Sequence, residues 1–336
     1  MVNRVRLSPE VWALRVHDGI LVGKGTQASH RLKSGPALFD LWTTMRALLS
    51  TGGLRTEELI HQLSSRFPVG ISRDIIPQLL RVGLLLPDLE PETGAPPAPA
   101  LREHPLWSYF ERHSQTPATH LSRLLDLRLG VVAEGPLLAA LQDALEKNGL
   151  RGPRVLPLDG QGPPTPEQVA ELAADSTLVV ALAATPLRRL QLFPVINQVQ
   201  LKARRPWLSG HLQSDELVLG PLFIPGETAC FQCLELREEN HLPNPQEYRE
   251  LRSRIHELPA SPGVGPASSA AALLAQAVTL ELIRYGSEIA IPTTYRTLIH
   301  MDLLSFETSR HALLKVPLCD ACGPHVDRPF RRAWSL

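Results

Sequence analysis

The sequence lacks any excess of charge of one sign. Its 336 residues include 34 lysines and arginines and 34 aspartates and glutamates, so the formal net charge is zero. Proteins that bind nucleic acid concentrate lysine and arginine on one face, because contacts to phosphates supply much of the affinity. The densest basic run in the middle of the chain, Lys202-Ala-Arg204-Arg205, is short and typical of a solvated helix end. We therefore expect no nucleic-acid partner.

Long apolar runs are also missing. No stretch approaches the roughly 18 consecutive apolar residues that a transmembrane helix needs. The first ten residues, from Met1 to Glu10, contain no apolar core of the kind found in a signal peptide. The sequence thus predicts a cytoplasmic protein with no membrane partner, in a compartment where thiols stay reduced and available to metals.

Cysteine is scarce, and its four copies form two C-x-x-C pairs. The pairs are Cys230-Phe-Gln-Cys233 and Cys319-Asp-Ala-Cys322, with no cysteine left over. This spacing lets each pair present two thiolates from a tight turn, so that the two pairs together bind one tetrahedral Zn²⁺. Four protein ligands leave no coordination position open for chemistry. The pattern predicts a structural zinc site; buried free thiols or two redox pairs are the alternatives. His325 is a further candidate ligand that four thiolates make unnecessary.

Residues 1–88 are predicted to form a small winged-helix-like unit of three strands and three helices. Alternation of apolar and polar residues predicts the strands, and Asp18-Gly19 between two of them predicts a hairpin turn. The predicted strands are 10–17, 20–24 and 29–33, and the predicted helices are 36–49, 55–67 and 72–83. The third helix offers two arginines and one aspartate, too little positive charge for a DNA-reading helix. A small sheet with a free edge suits the addition of a peptide as an extra strand instead.

A Pro/Ala-rich linker is expected over 89–116, followed by an α/β domain over 117–336. Residues 87–100 have no apolar period and five prolines, which is typical of a linker. Beyond it, apolar strands alternate with helices, which predicts a Rossmann-like parallel sheet covered on both faces. The predicted strands are 127–133, 154–158, 177–183, 206–211, 295–302 and 312–316, and the helices include 136–148, 166–174, 186–202 and the Ala-rich 266–286.

The first strand-to-helix turn of this domain is where a nucleotide phosphate would sit. It reads Gly130-Val-Val-Ala-Glu134-Gly-Pro136, without the G-x-G-x-x-G spacing. Glu134 brings negative charge to the turn and Pro136 removes an amide donor. Asp159 is the nearby acid available to a ribose or Mg²⁺, and no Ser-His-Asp or paired-carboxylate arrangement can be assigned. We expect that this chain does not use ATP.

Three stretches together resemble a known family. They are residues 220–237 around Cys230-Phe-Gln-Cys233, residues 262–269 before a helix, and Cys319-Asp-Ala-Cys322-Gly323. They resemble the ThiF-like branch of the ubiquitin-activating superfamily, and more closely the partner proteins of YcaO cyclodehydratases in azole-containing ribosomal peptide pathways. Residues 1–90 are similar in element order to the RiPP recognition element of that family.

The resemblance implies a non-catalytic subunit with a leader-binding domain and a ThiF-like domain that docks the ATP-using YcaO enzyme. It also implies a homodimer within a larger assembly. The leader would lie between the third strand and the third helix. The implied groove residues are Ser29, His30, Arg31, Leu32, Ile75, Gln78, Leu79 and Val82. Apolar helix positions at this spacing are equally typical of core residues. An adenylating enzyme and a metal-stabilised winged-helix regulator are the competing hypotheses.

Overall fold

The computed structural model divides the chain into two compact units, Met1–Ser122 and Arg123–Leu336. Within them, it describes the following ranges: 3–9, 11–17, 19–24, 27–33, 37–50, 52–88, 99–158, 162–258 and 267–323. Asp18, Asp159, residues 262–266 and His325 lie outside the described residues. No helix in the described part of the chain is long and apolar enough to cross a membrane.

The first unit contains two three-stranded antiparallel sheets and the three predicted helices. One sheet is the predicted meander, β2-β3-β4, and the other has the order β5-β1-β6. The strands are β1 (Arg4–Leu7), β2 (Val11–Val16), β3 (Gly19–Lys24), β4 (Gln27–Lys33), β5 (Leu54–Arg55) and β6 (Leu85–Pro87). The second sheet was not predicted, because its strands have two to four residues and show no alternation long enough to recognise.

Three helices pack their apolar residues into one core with the meander. They are α1 (Ala37–Leu49), α2 (Thr56–Ser64) and α3 (Val69–Arg81). Their buried side chains meet Ile20 and Val22 of β3. Helix α3 begins at Val69, three residues before the predicted start, and Pro77 lies in its interior at an exposed position. The α3 residues that face the core are Ser72, Ile75, Ile76 and Leu79.

Part of the stretch expected as a linker is helical. Helix α4 (Pro99–Arg102) and helix α5 (Trp107–His113) lie within 89–116, and α6 (Pro117–Leu125) follows. Phe110 of α5 is fully buried. The buried Arg6 of β1 donates hydrogen bonds to the carbonyl oxygens of Glu111 (3.0 Å) and Ser114 (2.7 Å). Residues 107–114 therefore belong structurally to the first unit, while 89–98 lie outside the described residues.

The second unit is built on a seven-stranded mixed sheet, which confirms the α/β class. The order is β13-β12-β11-β10-β9-β7-β8. Its strands are β7 (Leu129–Ala133), β8 (Arg154–Pro157), β9 (Leu178–Ala183), β10 (Trp207–Gln213), β11 (Glu216–Phe223), β12 (Thr297–Asp302) and β13 (Thr308–Ala312). The helices are α7 (Gly135–Lys147), α8 (Pro166–Ala174), α9 (Pro186–Ala203), α10 (Phe231–Glu239), α11 (Pro245–Ser253) and α12 (Ser268–Ser287), with a short 3-10 helix at Ile255–Glu257.

Both faces of this sheet are covered, as predicted, but the sheet is only partly parallel. Strands β8, β7, β9 and β10 are parallel, whereas β11, β12 and β13 follow as antiparallel neighbours. Helices α8, α9 and α10 pack on one face, and α7 and α12 pack on the other. The prediction of a strand over 312–316 is wrong, because the chain pairs with β12 over Thr308–Ala312 and leaves the sheet after it.

Candidate functional site

The four cysteines lie together at the end of the second unit. Cys230 caps the start of α10, Cys233 lies in its first turn, and Cys319 and Cys322 lie on the turns that follow β13. All four sulfur atoms lie within 4.8 Å of one another, and Cys322 alone is not fully buried. The Sγ–Sγ distances are 3.8 Å for Cys230–Cys233, 3.8 Å for Cys230–Cys319 and 3.5 Å for Cys233–Cys322.

These distances fit a tetrahedral metal. Four thiolates bound at about 2.3 Å from Zn²⁺ place neighbouring sulfurs about 3.8 Å apart. A disulfide would require about 2.05 Å, so no pair is bonded. The backbone N–H of Val316 points at Cys233 Sγ (3.4 Å), the kind of outer contact that orients a thiolate ligand. The cluster can therefore hold a metal ion such as zinc, with four protein ligands and no open position.

Hydrogen bonds among the thiols separate their acidities when no metal is present. The thiol of Cys230 donates to Cys233, which lowers the pKa of Cys233 to about 4 and raises that of Cys230. Burial raises the pKa of Cys322 to about 11. One thiolate is thus stabilised by its neighbours, whereas ionising the rest would leave repelling charges close together. A dication removes that repulsion, because thiolate binding displaces the protons.

Each cysteine pair sits on a turn that its neighbours shape. A Cβ atom at Gly323 would collide with the carbonyl oxygen of Cys319, to which the Gly323 N–H donates a hydrogen bond (2.6 Å). On the other side, Thr228 Oγ1 accepts from the N–H of Ile224 (2.7 Å), closing the turn that precedes Cys230. The glycine after the second cysteine pair is therefore a requirement of the turn.

A buried carboxylate supports the strand that leads into the first cysteine turn. Glu281 of α12 accepts hydrogen bonds from the hydroxyls of Thr293 (2.5 Å) and Thr294 (2.6 Å), and Arg284 pairs with it at 2.5 Å. The carbonyl of Thr294 in turn accepts from the N–H of Leu222 in β11 (3.0 Å). Burial raises the pKa of Glu281, but these hydrogen bonds outweigh it and hold the pKa below its usual range.

Replacing Glu281 by glutamine is expected to destabilise the protein at neutral pH and to do so less in acid. A folded-state pKa below the unfolded value adds stability above the unfolded pKa, and this stability is lost as pH falls through the folded pKa. The gap in urea-unfolding free energy between wild type and Glu281→Gln should be about 2 kcal/mol at neutral pH and should shrink below about pH 4. A gap that is constant from neutral to acid pH would contradict the assigned role of the charge.

An ion pair lies at the carboxyl end of the parallel strand β7. Strand β7 lies between β8 and β9, so its carboxyl end is the switch point where an α/β sheet binds nucleotides. Glu134 follows β7, and Arg188 lies in the first turn of α9. Arg188 Nε and Glu134 Oε2 are 3.1 Å apart, with the arginine side chain 4% exposed. A phosphate binding here would meet the carboxylate of Glu134 and would compete with it for Arg188.

Removing the charge of Glu134 should leave the buried guanidinium of Arg188 without its partner. Glu134→Gln is therefore expected to lower the unfolding free energy by about 3 kcal/mol. The double variant Glu134→Gln/Arg188→Met should recover most of that loss, since it buries no unpaired charge. Urea denaturation of the wild type, the single variant and the double variant measures these free energies. Equal stability of the two variants would show that the unpaired charge of Arg188 does not cause the loss.

The predicted peptide groove residues lie on two elements of the first unit. Ser29, His30, Arg31 and Leu32 belong to β4, and Ile75, Gln78 and Leu79 belong to α3, with Val82 as its C-terminal cap. Strand β4 is an edge of the described β2-β3-β4 sheet, and Ser29 lies at a register shift between Val22↔His30 and Gly23↔Ala28. Arg31 and Gln78 are exposed, and His30, Leu32 and Val82 are half-buried.

The two apolar groove candidates of α3 lie in the core. Leu79 is 1% exposed and Ile75 is 8% exposed, so both side chains are core residues of the first unit. Ile71, which lies just before the predicted helix 72–83, is 45% exposed. At helical spacing, Ile71, Gln78 and Val82 share one face of α3 with Ile75. Because α3 begins at Val69, Ile71 belongs to the helix. The predicted start at Ser72 left Ile71 outside it.

Comparisons with known proteins give a fold but no family. No protein-family model matches the sequence, and no curated protein sequence matches it. Among solved structures, the heterocyclase TruD is similar, with a TM-score of 0.62 and 20% identity over 96% of this chain and 43% of the TruD chain. The Microcin C7 biosynthetic enzyme MccB in complex with N-formylated MccA has a TM-score of 0.56 and 14% identity over 95% of this chain and 100% of that one.

A further MccB structure, from E. coli with AMPCPP and MccA, has a TM-score of 0.56 and 13% identity over 95% of this chain and 100% of that one. The chain thus spans less than half the length of TruD and nearly the full length of MccB. At these identities the likeness concerns the fold. The fold of this chain joins a small N-terminal unit to an α/β unit, and the sequence predicted that combination.

Proposed function

We propose that this chain is a leader-peptide-binding and scaffold subunit, without chemistry of its own, that presents a ribosomal precursor peptide to a YcaO-type cyclodehydratase. The observation that carries the proposal is that β4 is an edge strand of the described β2-β3-β4 sheet, in a unit that includes α3. Backbone pairing to such an edge gives affinity, and side chains on the helix face give specificity. The fold likeness to TruD and to peptide-bound MccB supports this function.

We assign the chemistry to the partner because of the ion pair that follows β7 in the second unit. Glu134 and Arg188 lie at the strand-to-helix turn where α/β sheets typically bind a nucleotide phosphate. A carboxylate there repels a triphosphate, and exchanging the buried pair for the ligand would require removing Arg188 from its counter-charge. ATP would then be used by the YcaO enzyme, which forms azolines from cysteine, serine or threonine of the core peptide.

The proposed metal is Zn²⁺, held by Cys230, Cys233, Cys319 and Cys322. When bound, a four-thiolate zinc ion supplies structure and no catalysis, since no coordination position is left for water or substrate. Here it would join α10 to the turns after β13. We propose that this staple keeps the docking surface of the second unit in place.

Leader binding is tested by fluorescence anisotropy of labelled candidate leader peptides from the source genome against the full chain. The expected result is a micromolar or tighter Kd that changes little with salt, because backbone pairing and apolar contacts are screened less than surface charge. The duplex DNA control should show no binding, given the balanced charge. Absence of binding to every leader would remove the proposal.

An adenylating enzyme is the second candidate function. The likeness to MccB with AMPCPP favours it, because that structure holds a nucleotide analogue in the same fold. Release of AMP or ADP by the chain alone, in the presence of peptide, would support this function and would exclude the scaffold. The Glu134–Arg188 pair is the reason we place it second.

A further inference from the structure

The outer hairpin of the second unit leaves a strand uncovered. Strand β13 is the edge of the described seven-stranded sheet, and it pairs with β12 alone. All five of its residues are exposed, on both faces of the strand. An edge strand open on both faces is a template for pairing with another chain, and proteins that have no use for such an edge shorten, bulge or cover it.

The backbone of β13 presents a regular set of hydrogen-bonding groups at this edge. The N–H of Asp302 donates to the carbonyl of Glu307 (2.9 Å), and the N–H of Leu313 donates to the carbonyl of Arg296 (2.8 Å). Residues 307 and 313 therefore face β12. Because the direction alternates along an antiparallel strand, Thr308, Arg310 and Ala312 direct their N–H and C=O groups away from β12. These three residues can accept an added strand.

The hairpin tip beside this edge holds two large apolar side chains in solvent. Leu304 is 78% exposed and Phe306 is 69% exposed. Asp302 Oδ1 accepts from the N–H groups of Leu304 (2.8 Å) and Ser305 (2.7 Å), which fixes the turn. Phe306 has φ +59°, a left-handed conformation that favours glycine. A phenylalanine at a position that suits glycine, with its ring in water, indicates a contact that the isolated chain does not make.

The charge of Arg310 distinguishes between the segments that could pair with this edge. Arg310 lies at the centre of β13 and forms no ion pair among the described residues. A second copy pairing antiparallel about the strand centre would set Arg310 against itself, which is unfavourable. The chain's own residues 324–336 carry three arginines and one aspartate, so they too are repelled. A segment of another protein with an acidic side chain opposite Arg310 is attracted instead.

We propose that the β13 edge, Thr308–Ala312 with the hairpin tip at Leu304 and Phe306, is where the YcaO-type partner docks. An extended acidic segment of that enzyme adds to β13 as a strand, and an apolar side chain of it covers Phe306. This inference rests on the proposed function, since it names the surface that the partner uses. It places the contact in the second unit, whereas the leader groove residues belong to the first.

Three variants test the backbone edge, the ring and the charge. Ala312→Pro removes an outward N–H without removing a bond to β12. Phe306→Gly removes the ring at a backbone conformation that glycine prefers, so the fold is retained. Arg310→Glu reverses the charge. Ile291→Ser, at an equally exposed apolar residue (76%) outside the hairpin, is the matched control.

Binding of each full-length variant to the immobilised YcaO enzyme of the same organism is measured by biolayer interferometry, alongside anisotropy with the leader peptide. We expect each of the three to weaken YcaO binding about tenfold or more, with leader binding unchanged and Ile291→Ser like wild type. Unchanged YcaO binding in all three variants would overturn the docking site alone. Failure of the wild type to bind the enzyme would overturn both this site and the proposed scaffold role. Wild-type self-association that the variants abolish would assign the edge to a second copy.

Discussion

Replacing Cys233 by serine is expected to remove the metal and to unfold most of the second unit. Cys233 Sγ lies 3.8 Å from Cys230 Sγ and 3.5 Å from Cys322 Sγ. Serine at this position leaves three thiolates, too few to complete a four-thiolate site. Structural zinc contributes about 10 kcal/mol or more of binding free energy, which is comparable to the whole stability of a domain. Elemental analysis should fall from about one zinc per chain to almost none, together with a loss of cooperative thermal unfolding.

A neighbouring variant separates the metal from general damage to the turn. Leu318 precedes Cys319, is 84% exposed and has φ +60°, so Leu318→Gly should keep both zinc and fold. If purified Cys233→Ser retains a full equivalent of zinc, the ligand assignment is wrong. If wild-type protein purified without chelators contains no metal and still unfolds cooperatively, the cluster is a set of buried thiols.

Changing the exposed face of α3 or the β4 edge is expected to weaken leader binding without unfolding the first unit. Ile71→Asp places a charge on an exposed apolar position, and Arg31→Glu reverses a charge on the edge strand. Each should raise the leader Kd about tenfold or more, or about 1.4 kcal/mol, when measured by anisotropy with the full chain. Leu79→Asp is unsuitable, because Leu79 is 1% exposed and an unpaired carboxylate there would disrupt the core.

The opposite edge of the same sheet provides the control for this prediction. Leu14 of β2 is 58% exposed, and Leu14→Asp should leave leader affinity unchanged. Circular dichroism confirms that each variant is folded. Equal affinities for wild type, Ile71→Asp and Arg31→Glu would place the peptide elsewhere on the chain, whereas a loss caused by Leu14→Asp would move it to the β2 edge.

Features set by short-range pattern could be predicted from the sequence. The two C-x-x-C pairs predicted a four-cysteine cluster, because each pair needs only a tight turn to present two sulfurs, and all four sulfurs do converge. Apolar strands such as Leu178–Ala183, which is buried throughout, predicted the covered sheet. The missing glycine spacing after β7 drew attention to Glu134, although its partner Arg188 could not be identified from spacing.

Features set by long-range pairing escaped prediction. Strand β11 follows β10 through a two-residue connection, and its last residues fall in the stretch 220–237 that carries the family resemblance. Strand β11 runs antiparallel to β10, and β12 and β13 each run antiparallel to the strand before them. The same limit applies to α3, where burial depends on which face meets β3: Ile75 and Leu79 turn inward, while Ile71 remains exposed. Periodicity marks an apolar face without saying how far it is covered.

We propose that this chain binds the leader and that its partner performs the chemistry. This proposal is tested most directly by incubating ATP and full-length precursor peptide with the chain alone, with the YcaO enzyme alone, and with both, while following nucleotide release and loss of water from the peptide by mass spectrometry. We expect no nucleotide release by the chain alone, and efficient dehydration only when both proteins and the leader are present. Release of AMP or ADP by the chain alone with peptide would contradict it.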